Sequence, residues 1–101
     1  MDNYTVLHGM ICRHPEHSES PAGIPHTVLV IEHRSMQQEA GLNRQAYVRM
    51  QIVMSGIDLQ QQARELKSGQ YIKVTGFLNR HQSRNGQARL VLHARQIEQI
   101  S

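Results

Sequence analysis

The chain has 101 residues, 39% hydrophobic and 19% charged, with 11 Lys and Arg against 8 Asp and Glu for a formal net charge of +3. That length accommodates one domain, residues 1–101, able to bury about two-thirds of its unfolded surface, and the composition excludes a disordered chain. A single cysteine, Cys12, excludes an internal disulfide, and no apolar run reaches the roughly 18 residues a membrane helix needs. With no basic, apolar leader at its start, the chain is expected to be cytoplasmic, with no membrane partner.

In chain order, "YTVLHGMICR" (4–13) is apolar and β-branched, with Gly9 positioned to relieve a bend. "HPEHSESPAG" (14–23) reads as a turn-rich loop, and "GIPHTVLVIEH" (23–33) as a second strand with a Val-Leu-Val-Ile centre. The connection "RSMQQEAGLNR" (34–44) is too polar for core and reads as a flexible loop hinged at Gly41. "QAYVRMQIVM" (45–54) alternates, with Ala46, Val48, Met50, Ile52 and Met54 on one face and Gln45, Tyr47, Arg49, Gln51 and Val53 on the other. The period then changes: Leu59, Ala63 and Leu66 fall on one helical face, and Asp58 as N-cap, Lys67 in the last turn and Gly69 as terminator frame a helix over 58–68. Finally "QYIKVTGFLN" (70–79) and "QARLVLHARQIEQI" (87–100) flank an Arg-Asn-Gly turn as a long β-hairpin.

Three strands, a helix and two strands are the order of an OB-fold, an all-β, five-stranded Greek-key barrel with one short helix between strands three and four. Alternation alone also permits an SH3-like barrel or a small sandwich. The helix position and a glycine inside strands one and four favour the OB-fold, because a small barrel bends its strands at glycines and bulges.

Charge is segregated. Between Glu65 and Glu98 lie Lys67, Lys73, Arg80, Arg84, Arg89 and Arg95 without one acid, and between Glu39 and Asp58 only Arg44 and Arg49 are charged. On the third strand, Tyr47 stands between Gln45 and Arg49, a pairing that stacks on unpaired bases while neutralising phosphate. An isolated tyrosine more often covers a barrel edge. Its surroundings tip the balance: an OB barrel binds oligonucleotides on strands two and three beside the loop joining strands four and five, where Arg80, Arg84 and Arg89 fall. Arg34 and Arg44 extend this track. Strand parity turns Val53, Phe77 and Val91 outward as exposed apolar groups, an expected homodimer surface.

His14 and His17 have H-x-x-H spacing but lie in a Ser/Pro/Glu segment without a Cys pair or an H-E-x-x-H helix, so no metal and no cofactor are expected. Asp2 and Asp58 are the only aspartates, and neither a nucleophile elbow nor a phosphate-cradling loop is present. The chain reads as a binder rather than an enzyme. A basic module docking an acidic protein surface, with marginal DNA binding, is the competing reading, kept open by the low aromatic content of three Tyr and one Phe.

The strings "GIPH", "EHRS", "EAG", "RQA", "VMSG", "VTGF", "NG" and "VLHARQIEQI", in this order along the whole chain, resemble the bacterial primosomal replication protein N (PriB) family. The resemblance implies a homodimeric OB-fold related to the single-stranded DNA-binding protein SSB, without enzymatic activity, active in restart of stalled replication forks. It further implies binding of single-stranded DNA and the PriA helicase and recruitment of DnaT, with SSB itself a further candidate partner. Carried over by position, the stacking aromatic is Tyr47 and the basic hairpin contributes Arg84 and Arg89. Two positions depart from the family pattern: Leu42 where an aromatic is expected and Gln82 where a lysine is expected, each the loss of a DNA contact. The chain also shows no Gly-rich tail with an acidic tip of the kind through which SSB recruits partners.

Overall fold

A computed structural model describes residues 1–101. It contains β1 (Thr5–Glu19), β2 (Pro25–Glu39), β3 (Leu42–Ser55), α1 (Ile57–Ala63), β4 (Tyr71–Gln82) and β5 (Ala88–Gln99). The strands close into a barrel in the order β1-β2-β3-β5-β4, with the helix between β3 and β4, an OB-fold as the sequence predicts. Closure rests on a short parallel pairing of β3 with β5 over Gln51–Val53 and Val91–His93, all other pairings being antiparallel.

β1 serves two neighbours, pairing β4 through Thr5–Met10 and β2 from Met10 onward. Where it changes partner, a Cβ on Gly9 would stand 2.5 Å from the Glu32 carbonyl oxygen, so the crossing needs a residue without a side chain. Gly76 does the same for β4, lying at a register shift against β5 with the His93 carbonyl where its Cβ would be.

The alternation of β3 holds: Met50, Ile52 and Met54 point into a 12-residue core with Ile11, Leu29, Ile31, Ile72, Val74, Leu92 and Ala94 among its members. The helix closes one end through Ala63 and Leu66, with Leu59 packed against them. It is shorter than the expected 58–68. Gly56, with φ 101°, precedes it and no side chain caps it; Asp58 lies in its first turn, and Lys67 falls beyond it. Leu66 nonetheless stays on the buried side because its amide bonds the Ala63 carbonyl at 3.0 Å, continuing the turn without the helix.

Two segments expected as loops are strand. β1 continues through residues 14–19, because bulges on either side of Arg13 absorb Pro15, whose missing N–H has no place in a regular ladder. The segment 34–44 is the distal part of a β2–β3 hairpin paired down to Glu39 and Leu42. Its two-residue turn puts Ala40 at φ 53° and Gly41 at φ 77°, both left-handed, which matches the twist of the flanking strands. The polar composition reflects an arm beyond the barrel with no core to cover.

The expectation of an exposed apolar patch at Val53, Phe77 and Val91 is also corrected. Parity is right, since these residues stand outside the core, but Val53 and Val91 are buried at 8% and 0% exposure and Phe77 is half-buried. Val91 faces Asn79, and the His81 and His93 rings, on opposite sides of that pair, meet over it with their Nε2 atoms 2.9 Å apart. Phe77 lies under the stacked His93 ring and the Arg95 guanidinium.

Candidate functional site

The outer face of β2 and β3 is a ladder of cross-strand pairs: Arg34 opposite Tyr47, Glu32 opposite Arg49, and Val30 opposite Gln51. At the top rung the Arg34 guanidinium sits 4.7 Å from the Tyr47 ring centroid, and the ring is half exposed. A guanidinium over a ring is worth about 0.5–1 kcal/mol at an exposed site, which restrains the tyrosine while leaving half of it exposed. On the next rung Arg49 Nη1 donates to Glu32 Oε1 at 3.0 Å. Below it, Arg89 reaches across from β5 and donates through Nη1 to Gln51 Oε1 at 2.8 Å.

The predicted residues therefore divide. Tyr47, Arg34, Arg49 and Arg89 share one continuous surface. Arg44 lies near the end of the arm, its Nε 3.2 Å from Glu39, with both side chains exposed. Arg84 is exposed in the turn between β4 and β5. Arg80 pairs with Leu90 and by alternation faces away from the His81–Arg89 side of the hairpin. Only Arg44 and Arg49 have carboxylate partners, so Arg34, Arg80, Arg84 and Arg89 carry uncompensated charge. Leu42, where a further aromatic was expected, is exposed at the arm's tip.

Two features lay beyond the sequence reading. In the sequence Arg13 reads as the end of a strand entering a loop; the bulged continuation of β1 instead pairs it with Val30, beside the Glu32–Arg49 rung. The His81–His93 contact joins residues 12 apart whose approach depends on the β4–β5 register. Burial first, and then the neighbouring His81 and His26, hold the His93 imidazole below its usual 6.5. His17, one of the two H-x-x-H histidines, has its Nδ1 bonded to the Thr27 hydroxyl at 2.7 Å.

A half-exposed aromatic beside guanidiniums on the outside of an OB barrel is suited to stacking bases and neutralising phosphates. Residues 3–96 match a family described as another single-strand binding protein family. The chain belongs to that family. Among its relatives, the replication restart protein PriB of Photorhabdus laumondii is 52% identical over 98 residues, covering 97% of this chain and 93% of that protein. The PriB structure from Ralstonia solanacearum superposes with a TM-score of 0.82 at 19% identity, over 100% of both chains. Plasmodium falciparum SSB, solved in complex with ssDNA, superposes with a TM-score of 0.81 at 12% identity over 100% of this chain and 97% of that one. At such identities the structural matches establish the fold.

Proposed function

We propose that this protein is a non-catalytic, single-stranded DNA-binding accessory of replication restart, holding the strand on the outer face of β2 and β3. Tyr47 stacks a base, Arg34, Arg49 and Arg89 meet phosphates, and Arg44 and Arg84 extend the track. The observation carrying this reading is the Arg34–Tyr47 pair, a half-exposed ring beside a guanidinium that has no carboxylate partner. Such contacts tolerate any sequence, because every base has a π face and every nucleotide a phosphate. The PriB relatives support a place in the restart primosome. There the protein works in the cytoplasm as a homodimer, binding the PriA helicase and helping recruit DnaT, with SSB a further partner.

The test is fluorescence anisotropy of a labelled single strand and its duplex, titrated at several salt concentrations. Preference for the single strand, with a log–log salt slope near -2 to -4 for about three to five phosphates, is the expected result. Equal or absent binding to both forms overturns it in favour of a basic face that docks an acidic protein.

A further inference from the structure

One transverse row of the barrel runs Arg13, Val30, Gln51, Val91 across β1, β2, β3 and β5. Arg13, Arg49 and Arg89, with Val30, Gln51 and Leu90, line a 270 Å³ cup on this face. The volume is ample for a tetrahedral oxyanion. Three guanidiniums around one small concavity repel each other, and this arrangement is stable only where solvent screens it or an anion fills it. The cup contains no carboxylate of its own. Glu32, on the neighbouring rung, engages Arg49, whereas Arg13 and Arg89 have no acidic partner. Gln51 accepts one Arg89 N–H and so orients that guanidinium, leaving its remaining donors free. The bulges flanking Arg13 hold it on this row rather than in a loop.

We propose that this cup seats a single phosphodiester of the bound strand, with Arg13 and Arg89 as its two grips and Glu32 as a brake that withholds Arg49. Resting on the single-strand reading above, the inference adds a β1 residue to the site and gives the one acid on the ladder a task. A carboxylate pairing Arg49 lowers the positive potential at the cup, which limits how tightly any one phosphate is held and keeps the strand exchangeable. Glu32 thus opposes binding, although it touches no DNA.

The test compares Arg13→Gln, Glu32→Gln and Lys73→Gln in single-strand titrations with a labelled oligothymidylate over a range of salt. Lys73 is an exposed cation on β4 outside the cup and serves as the control for net charge. Arg13→Gln is expected to weaken binding several-fold and to flatten the salt slope by about 0.7, the value of one phosphate contact. Glu32→Gln is expected to tighten binding and steepen the slope. Arg13→Gln behaving like Lys73→Gln overturns the cup while leaving single-strand binding standing. The second measurement does not depend on DNA: NMR of the arginine Nε–H signals during titration with inorganic phosphate. Arg13 and Arg89 shifting together supports the cup, and an unmoved Arg13 overturns it even if the oligonucleotide does not bind.

Discussion

Replacing Tyr47 with alanine separates stacking from charge at this surface. Because the Arg34 guanidinium occupies one face of the ring at 4.7 Å, at most the opposite face can take a base, and the substitution removes one stacking contact. One base stacked on one aromatic is worth about 1–3 kcal/mol, which converts to a loss of roughly 5- to 150-fold in affinity. No charge leaves the protein, so the salt slope stays at its parental value while the binding curve shifts. Tyr47→Phe, which keeps the ring and its cation partner, should bind within about twofold of the parent. The ring is half exposed, so thermal melting should show only a small change, confirming that lost binding is not lost folding. Anisotropy of a labelled single strand at two salt concentrations reads both quantities. A Tyr47→Ala protein that binds within twofold of the parent refutes the stacking argument, and a changed slope would show that the substitution had disturbed the neighbouring arginines.

Two other outcomes follow from the barrel itself. His93 is held neutral below its ordinary 6.5, so as pH falls below that value the unfolded chain takes up the proton first and stability declines, until the folded ring is also protonated. Chemical denaturation of the parent and of His93→Gln at pH 8 and pH 5 should show the larger acid loss in the parent, and equal losses would remove this histidine from the account. Gly76→Ala forces a Cβ against the His93 carbonyl carbon at 2.8 Å and Ala94 Cα at 3.1 Å, backbone atoms that cannot yield without opening the β4–β5 ladder. The expected cost is about 3 kcal/mol or more, or roughly 12–24 °C in melting temperature, and a drop of less than about 4 °C would show that the bulge adapts.

What the sequence alone determined is what depends on near neighbours. Side chains alternate along a strand, so the inward Met50, Ile52 and Met54 and the outward Tyr47 and Arg49 were legible on β3, and the change of period at Leu59, Ala63 and Leu66 located the helix. Segregated charge marked Arg84 and Arg89 for the same reason. Register and closure, by contrast, join residues with no short-range signal between them. The tertiary structure alone decided that the polar stretch 34–44 is a paired arm, since its ladder is formed by hydrogen bonds between strands rather than by burial of its side chains. It likewise decided that Val91 is roofed by two histidines and that Arg80 turns away from Arg89. Arg13 lines one cup with Arg49 and Arg89 for the same reason: β1 and β3 lie on either side of β2, and β5 is brought beside β3 only by their long-range parallel pairing.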